Sequence, residues 1–385
     1  MDETYRPRFW ATIWVDVLNA GQAGSTKAAA MAAVDRFYNS ASDQFGDDRL
    51  DPAISAADFD TLEDALSGFL SRLKNESMIV SIDREVTWRT VLTFVNDVMT
   101  HLGTAAGSTI SEMSTRLQRL SRLYSKIKPS APKGPAPIRA LPAAVVEDLY
   151  EIFNPECARN PFRSTSQRWR NYLIFIVLLH IGLRRGELLL FAADVVNHDF
   201  DLTTEQDRYW INIAETPYED EDTRYSVPSI KTAASWRQLP ISRDILSIID
   251  TYVREYRDKA PHPFLLNSQQ MKPLSAQSVG LIFNIASTTL SARSLKLLAD
   301  NGKSGVTAHD LRHTAAVVRL ARYRASSEDL DTAIGKLRVF FGWSDTSSMP
   351  RHYARAYFET KLGEVWEEHF DSYVETLRGM KGTES

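Results

Sequence analysis

The sequence is poor in cysteine, since Cys157 is the only one. A lone cysteine forms no internal disulfide and has no partner at metal-ligand spacing, so a disulfide framework and a cysteine-based zinc module are both excluded. The residues beside Cys157 include no activating base of the histidine kind, which disfavours a cysteine nucleophile.

Long apolar runs are also lacking. The apolar stretch from Tyr172 to Leu179 is far shorter than the roughly 20 residues that cross a bilayer, so we expect it to be a buried helix. The N-terminus, MDETYRPRFW, carries acidic residues where a secretion signal carries positive ones, and no cleavable apolar core follows before Asp16. We therefore expect a cytoplasmic protein with no membrane partner.

Positive charge is not in excess, because the formal net charge is -4. That sum argues mildly against a nucleic-acid partner, since neutralising phosphates needs lysine and arginine. Acidic residues are missing, however, between Met113 and Val146, where basic residues are concentrated. We expect a local basic face that binds DNA, although arginines at helical spacing are equally typical of a solvated helix face. The candidate DNA-binding residues are Arg116, Arg119, Arg122, Lys126, Lys128 and Lys133.

The length of 385 residues, with 43% hydrophobic and 24% charged residues, predicts a soluble protein of two domains. The proline- and lysine-rich segment KIKPSAPKGPAPIRALP has no apolar periodicity and indicates an extended linker. We therefore expect a helical N-terminal DNA-binding domain over residues 1–130, a linker over 131–142, and a catalytic domain with a C-terminal helical tail over 143–385. Apolar residues at three and four spacing predict N-terminal helices at Phe9–Leu18, Thr26–Tyr38, Asp58–Leu73 and Arg89–Leu102.

The second domain is expected to be mainly α, with a small antiparallel β-sheet. Short apolar or β-branched runs predict strands at Tyr209–Ala214, Tyr225–Ile230 and Trp236–Ile241, with Lys231 at a hairpin. Periodic apolar residues predict the helices of this domain at Ala143–Phe153, Arg168–Leu183, Ile245–Tyr256, Ala276–Thr289 and Leu311–Tyr323.

Four separated segments hold residues that could carry chemistry. Each places cations, imidazoles or aromatic rings beside an apolar helix or a turn. The segments are IGLRRGELLLF (181–191), SIKTAASWRQLPI (229–241), HDLRHTAA (309–316) and FFGWSDTSSMPRHYAR (340–355).

Each of these segments also has an ordinary structural interpretation. Arg184 ends an apolar helix, where an arginine is usually solvated or pairs with a local acid, and the next arginine would be equally eligible. Lys231 at a hairpin would by default face solvent. His309 and His313 lie one helical turn apart and could ligate a metal together with Asp310, but the segment lacks the further ligands of a persuasive metal site.

Taken together and in this order, the four segments resemble the active-site boxes of the tyrosine recombinases, the phage integrase family. GLRRGEL is similar to the first box, HDLRHT to the second, and HYAR after GW to the last, while IKT ahead of Arg237 is similar to the β-hairpin that presents the family's catalytic lysine. The resemblance spans about Leu141 to Tyr357. It implies the catalytic residues Arg184, Lys231, His309, Arg312, Trp343 and Tyr353.

Two positions depart from the family pattern. Gly186 stands where a small hydroxyl residue is common, which is a minor change. The interval from Trp343 to Tyr353 is one residue longer than the usual spacing, so Tyr357 is a second candidate nucleophile. We favour Tyr353 because HYAR reproduces the immediate context and the SDTSSMP loop can absorb one residue.

The resemblance implies covalent catalysis without a metal, another cofactor or ATP. The hydroxyl of Tyr353 would attack a DNA phosphorus, giving a 3′-phosphotyrosyl enzyme and a free 5′-hydroxyl. A phenol has a pKa of about 10, so His309 is the candidate base that accepts its proton. Lys231 would protonate the leaving 5′-oxygen.

Charge on the phosphate would be offset by Arg184 and Arg312, because guanidinium groups are permanently charged and bind phosphate bidentately. Trp343 would donate one indole N–H or pack the site. The implied partner is double-stranded DNA, bound by a homo-tetramer because exchange between two duplexes needs four active sites. Accessory DNA-bending proteins are a further possible partner, and the DNA served would belong to a mobile element or to the chromosome.

Three other functions stay open from the sequence. A type IB topoisomerase would use similar chemistry on one duplex, a catalytically silent DNA-binding regulator could use the same scaffold, and a metal-dependent nuclease would require a cation. The C-terminal tail carries an apolar stripe that either covers its own core or docks onto a neighbouring subunit. The stripe consists of Leu362, Trp366, Phe370, Tyr373 and Leu377.

Overall fold

The chain divides into two compact units, Met1–Gly134 and Pro135–Ser385. The computed structural model describes residues 6–22, 24–75, 84–103, 115, 118–119, 122, 140–203, 205–230, 235–326, 329–344, 346–350 and 352–353. Most of the predicted linker, the predicted C-terminal tail, Lys231 and Tyr357 lie outside these residues.

The first unit is helical, and its apolar spacing explains the elements that form. Aromatic side chains such as Phe37, Phe69 and Phe94 are fully buried where the helices meet, and Phe37 and Phe69 pack edge to face at 5.5 Å. Three of the predicted helices lie within observed ones, the helix predicted from Asp58 begins one residue later at Phe59, and a short helix at Leu50–Ser55 was not predicted. The helices are α1 (Phe9–Ile13, continued by a π-helical turn at Trp14–Leu18), α2 (Gly24–Phe45), α3 (Leu50–Ser55), α4 (Phe59–Asn75) and α5 (Arg84–Gly103).

The basic residues in and before the predicted linker are described only in part. Arg119 and Arg122 have helical backbone and are exposed, which fits both a DNA-binding face and a solvated one. The other candidate DNA-binding residues, Arg116, Lys126, Lys128 and Lys133, lie outside the described residues.

The second unit is a larger helical body with one large apolar core and a smaller apolar cluster beside it. Phe153 and Phe175 stack at its centre with ring centroids 4.8 Å apart, and both are fully buried. Three of its helices, α8, α11 and α13, were not predicted. The helices are α6 (Ala143–Phe153), α7 (Thr165–Ile176, continued by a π-helical turn at Val177–Ile181), α8 (Arg185–Leu189), α9 (Arg243–Thr251, continued by a π-helical turn at Tyr252–Tyr256), α10 (Ala276–Thr288), α11 (Ala292–Asp300), α12 (Ala308–Ala325) and α13 (Leu330–Phe341).

A three-stranded antiparallel sheet of order β1-β2-β3 lies in this unit. Its strands are β1 (Val196–Asp201), β2 (Gln206–Ile213) and β3 (Arg237–Pro240). Val196 pairs with Ile211, which in turn pairs with Leu239, so that β2 has a partner on each edge. The prediction of a mainly α protein with a small antiparallel sheet is therefore confirmed.

One predicted strand is wrong. Tyr225–Ile230 is not a strand, because both edges of β2 are already paired, Pro228 has no N–H for a ladder, and Tyr225 is fully exposed. The true first strand, VNHDFD, was missed because its residues are mostly polar and none is buried, so no apolar alternation marks it. Among the described residues, no helix is both long enough and apolar enough to cross a membrane.

Candidate active site

Arg184 is positioned by the turn between two helices. The π-helical turn after α7 ends at Gly182, which has a left-handed φ of +69°. A Cβ at that position would lie 2.6 Å from Cε1 of Phe341, so glycine is required both by the backbone and by the packing. Arg184 follows as the N-cap of α8, and its backbone N–H donates to Oε2 of Glu187 at 2.8 Å.

Arg312 is positioned by the first two turns of α12. Thr307 caps this helix, and the carboxylate of Asp310 accepts a hydrogen bond from the backbone N–H of Thr307 in return at 2.9 Å. Arg312 lies one half-turn further on and is only 3% exposed. Its Nη1 donates to the carbonyl oxygen of Gly182 at 2.6 Å, and its Nη2 donates to that of Phe341 at 2.8 Å. These bonds tie α12 to the ends of α7 and α13.

Arg312 remains positively charged although it is buried. Burial lowers the pKa of Arg312 to about 9, with the nearby cation of Arg184 acting in the same direction. A guanidinium with that pKa is still protonated at neutral pH. The electrostatic coupling of Arg312 to Arg184, and its weaker coupling to Tyr353, also indicates that these three groups lie together.

A buried carboxylate holds the arginines in place. Oε1 of Glu187 accepts from Nη1 of Arg184 at 2.7 Å, and Oε2 accepts from Nη2 of Arg237 at 3.0 Å and lies 3.7 Å from Nη1 of Arg312. Burial alone would raise the pKa of Glu187, but the hydrogen bonds and charges of Arg237 and Arg312 outweigh it and leave the pKa below its ordinary value. Glu187 is therefore ionised and binds three guanidinium groups.

Arg237 was quoted in the sequence motif, but its role was missed. It begins β3, its Nε donates to the carbonyl oxygen of Phe340 at 2.8 Å, and its Nη1 donates to that of Ser235 at 2.7 Å. The sequence gives no signal that Arg237 binds Glu187, because the two are separated by 50 residues. Only the fold brings them together.

Trp343 and Tyr353 belong to a column of three aromatic rings. The ring of Phe341 stacks on Trp343 at 4.9 Å, and Trp343 stacks on Tyr353 at 5.2 Å, with interplanar angles of 14° and 12°. Gly342, with a φ of +59°, ends α13 and allows the chain to turn between the first two rings. Tyr353 is 2% exposed and packs in an apolar cluster with α12 and α13.

His309 and His313 lie one turn apart on α12 and contact each other. Their Nε2 atoms are 2.9 Å apart. His309 is exposed, whereas His313 is buried against the ring of Tyr353, with ring centroids 5.1 Å apart. Asp310 points elsewhere, because its carboxylate accepts from Nζ of Lys303 at 2.8 Å and caps the helix. In the part of the chain that the structure describes, no group of three or more His, Cys, Asp or Glu residues is arranged to hold a metal ion.

The structure brings five of the six predicted catalytic residues to one cleft. The cleft has a volume of about 750 Å³ and lies between the start of α8, the start of α12 and the segment after α13. Arg185 also lines this cleft, so Arg184 is preferred as the candidate catalytic arginine only because it binds Glu187. The predicted catalytic residues along its wall are Arg184, His309, Arg312, Trp343 and Tyr353.

Lys231 and Gly186 are two further positions that the sequence singled out. Lys231 lies outside the described residues, so its predicted role stays a prediction. Gly186 departs from the usual hydroxyl residue without consequence for packing, because a Cβ there would meet only the carbonyl oxygen of Ser229 at an ordinary contact distance of 3.5 Å.

The sequence profile of the phage integrase family matches residues 139–360. A search of curated proteins found no match. Similar solved structures include a XerA recombinase, with a TM-score of 0.37, 14% identity and coverage of 92% of this chain and 97% of that chain. A pre-cleavage complex of the XerH site-specific recombinase bound to difH substrate has a TM-score of 0.37, 16% identity and coverage of 77% and 74%. A post-cleavage complex of XerH with palindromic difH has a TM-score of 0.45, 15% identity and coverage of 93% and 95%.

Proposed function

The chain belongs to the phage integrase family of tyrosine site-specific recombinases, and on this premise we propose that it cuts and rejoins double-stranded DNA through a covalent bond to Tyr353. One observation carries the proposal. Two guanidinium groups, an imidazole, an indole and a phenol come from distant parts of the chain and line a single cleft. That set supplies most of the chemical functions needed for phosphoryl transfer to a tyrosine.

The two arginines stabilise the phosphate. Charge grows on the non-bridging oxygens as Tyr353 attacks, and fixed cations that need no reorganisation offset it best. Arg184 has a side chain that is 29% exposed and lines the cleft, while Arg312 is 3% exposed and is held by hydrogen bonds to the carbonyl oxygens of Gly182 and Phe341. Glu187 keeps both guanidinium groups oriented, and Trp343 supports the nucleophile by stacking on it.

Covalent catalysis stores the energy of the broken bond. The hydroxyl of Tyr353 attacks phosphorus, the 5′-oxygen leaves, and a 3′-phosphotyrosyl enzyme results, so that rejoining needs neither ATP nor a metal. His309 takes up the phenolic proton and Lys231 protonates the leaving oxygen. The free 5′-hydroxyl of a partner strand then reverses the reaction at a new junction.

The assembly follows from the chemistry. Four strands are exchanged between two duplexes, so a homo-tetramer on DNA provides the four nucleophiles. The basic residues before the linker bind phosphates of the duplex, with Arg119 and Arg122 exposed for that contact. The reaction takes place in the cytoplasm, on a mobile element or the chromosome, with accessory DNA-bending proteins assisting where the sites must be brought together.

A nicked suicide substrate tests the nucleophile. Such a substrate loses a short fragment after cleavage and traps the covalent protein–DNA adduct. Tyr353→Phe should bind this DNA as the wild type does and form no adduct, because it lacks the attacking oxygen. Tyr357→Phe is the matched control and should form the adduct normally. An adduct in Tyr353→Phe that disappears in Tyr357→Phe would move the nucleophile and overturn the assignment.

Two further experiments distinguish this proposal from related activities. Joint products from two differently marked duplexes are expected of a recombinase, whereas relaxation of supercoils without joint products would identify a topoisomerase-like enzyme. Full activity in EDTA is expected, and a requirement for a divalent cation would favour a nuclease. A folded protein that binds DNA but never forms an adduct would be a silent regulator.

A further inference from the structure

Arg184 uses only part of its guanidinium group to bind the protein. Its Nη1 donates to Oε1 of Glu187 at 2.7 Å and to Oγ of Ser235 at 3.2 Å. Its Nη2 donates to the carbonyl oxygen of Gly342 at 3.4 Å. A guanidinium has five N–H donors, so Nε and one N–H of Nη2 have no partner in the described part of the chain. Because Arg184 lines the cleft, these donors are available to a bound phosphate.

Arg237, by contrast, donates only to protein groups. Its Nη1 and Nη2 donate to the two carboxylate oxygens of Glu187 at 3.1 Å and 3.0 Å, so the two side chains form a bidentate pair. Nη1 also donates to the carbonyl oxygen of Ser235, and Nε donates to that of Phe340. The side chain of Arg237 is 5% exposed and is not part of the cleft wall. Its charge therefore acts on Glu187 and not directly on a phosphate in the cleft.

Glu187 without this partner would weaken the cleft as a phosphate site. Its carboxylate lies 2.7 Å from Nη1 of Arg184 and 3.7 Å from Nη1 of Arg312, so it offsets part of the positive charge that a phosphate would meet. Burial alone would raise the pKa of Glu187, and the hydrogen bond and charge of Arg237 are the largest effects that lower it. Arg237 is therefore the strongest counter-charge of this carboxylate.

We propose that Arg237 is a positioning residue for cleavage, which neutralises Glu187 so that the two cleft arginines keep their positive charge for the scissile phosphate. Arg237 carries one positive charge and Glu187 one negative charge, so this pair contributes none, and Arg184 and Arg312 leave the cluster with a net charge of +2. Glu187 can then hold Arg184 by a hydrogen bond without cancelling its charge. This inference rests on the proposed function and gives a role in it to an arginine outside the cleft.

The same guanidinium joins three parts of the fold. Arg237 begins β3, Glu187 belongs to α8, and Phe340 lies at the end of α13. Hydrogen bonds from Arg237 to both of these residues tie the strand to the two helices. Groups that are fixed in this way need little reorganisation when charge develops on a phosphate, which is the condition for strong electrostatic stabilisation.

Arg237→Gln tests the counter-charge in the full chain. The substitution lowers the net charge of the cluster from +2 to +1. The maximal single-turnover rate on the suicide substrate should fall by about 10²-fold, the size of effect that a small misplacement of catalytic groups produces. The DNA concentration that gives half of this rate should change less than about threefold, because one phosphate is a small part of the contact with DNA.

Arg257→Gln is the matched control for the loss of a buried guanidinium. Arg257 is nearly fully buried in the same unit and donates to the carbonyl oxygens of His262, Phe264 and Leu265. Among the described residues it pairs with no carboxylate, and it lies outside the cleft wall. This variant should be less stable than the wild type but, while folded, should cleave within about threefold of the wild-type rate.

A double variant separates charge from structure. Arg237→Gln combined with Glu187→Gln removes one positive and one negative charge, so the net charge of the cluster returns to +2, and the amide oxygen at position 187 can still accept from Arg184. The double variant should cleave at least about tenfold faster than Arg237→Gln. A merely structural role predicts the reverse, because the loss of two buried side chains disturbs packing more than the loss of one. Arg237→Lys keeps the charge without the bidentate geometry and should cleave at a rate between those of the wild type and Arg237→Gln.

Three results would overturn the proposal. They are wild-type cleavage by folded Arg237→Gln, an equal loss of rate in Arg257→Gln, and a double variant that is no faster than Arg237→Gln. If Arg237→Gln does not fold, the double variant decides alone, because replacing both partners of a buried pair is tolerated better than removing one. It should cleave within about tenfold of the wild type, and a folded double variant slowed by about 10²-fold would refute the role of Arg237. If Tyr353→Phe still formed the adduct, the proposed function itself would fail, so the two failures are distinguishable.

Discussion

Glu187→Gln isolates the contribution of one buried negative charge to the active site. The three guanidinium groups around this carboxylate carry three positive charges against its one negative charge, so the cluster has a net charge of +2, and the substitution raises it to +3. Glutamine keeps the shape but leaves Arg237 and Arg312, both nearly fully buried, without a counter-charge. Removing one partner from a buried ion pair costs about 3–5 kcal/mol of unfolding free energy.

The expected loss is measurable in the full chain. For a unit of this size, about 3–5 kcal/mol corresponds to a fall of roughly 6–20 °C in Tm. Scanning calorimetry is the suitable assay, because it can resolve separate transitions of the two units. Glu151→Gln is the matched control: its carboxylate pairs with Arg159 at 2.6 Å but is 64% exposed, and such surface pairs contribute about 0–1 kcal/mol. A loss for Glu187→Gln no larger than that of the control would refute the reasoning.

The pH dependence of the same variant gives a second check. The pKa of Glu187 in the folded protein is lowered, so its stabilising effect is complete above the unfolded pKa of about 4.3 and is lost as pH falls through the lower folded value. The difference in unfolding free energy between wild type and Glu187→Gln should therefore be constant from neutral pH to about pH 5 and shrink at lower pH. A difference that grew on acidification would contradict an ionised Glu187.

Three further predictions concern other parts of the chain. Gly182→Ala should lower the free energy of unfolding by about 1–3 kcal/mol, because alanine would have to adopt a positive φ and would contact Phe341 at 2.6 Å. In the same denaturant titration Gly186→Ala should stay within about 1 kcal/mol of the wild type, and equal effects of the two substitutions would refute the packing argument. Lys231→Ala should slow cleavage of normal DNA but not of a substrate with a 5′-bridging sulfur, since a thiolate, whose thiol has a pKa of about 8.5, leaves without a general acid. Slow cleavage of the sulfur substrate by this variant would show that Lys231 is not the general acid. Neutralising the three arginines before the predicted linker should reduce the magnitude of the slope of log affinity against log salt concentration by up to about 2.7. An unchanged slope would show that these arginines form a solvated helix face that does not bind DNA. The variants are Arg116→Gln, Arg119→Gln and Arg122→Gln.

The sequence predicted which residues share one cleft better than it predicted the sheet. Arg184 and Arg312 were identified because their local context is a motif, and the fold then brought them to one cleft. The strand β1 was missed because edge strands that face solvent need no apolar alternation. The false strand at Tyr225–Ile230 arose because β-branched and aromatic residues also occur in exposed loops.

Residues that act through long-range contacts were not predictable. Arg237 reaches Glu187 across 50 residues of sequence, and a pattern of neighbours cannot encode that contact. His313 was visible as the residue after Arg312, yet its position between Tyr353 and His309 depends on where the segment after α13 returns to α12. Local motifs predicted the candidate residues, whereas the tertiary structure determined what each one touches.

The burial of Tyr353 has a consequence for the fate of a broken strand. An ester formed on a side chain that is 2% exposed and covered by Trp343 is sheltered from hydrolysis. Bulk water competes poorly there, so the terminal hydroxyl of a DNA strand aligned in the cleft is the favoured attacking group. On the proposed mechanism, this enclosure would keep each cut available for rejoining, so that the DNA is not left with an unrepaired end.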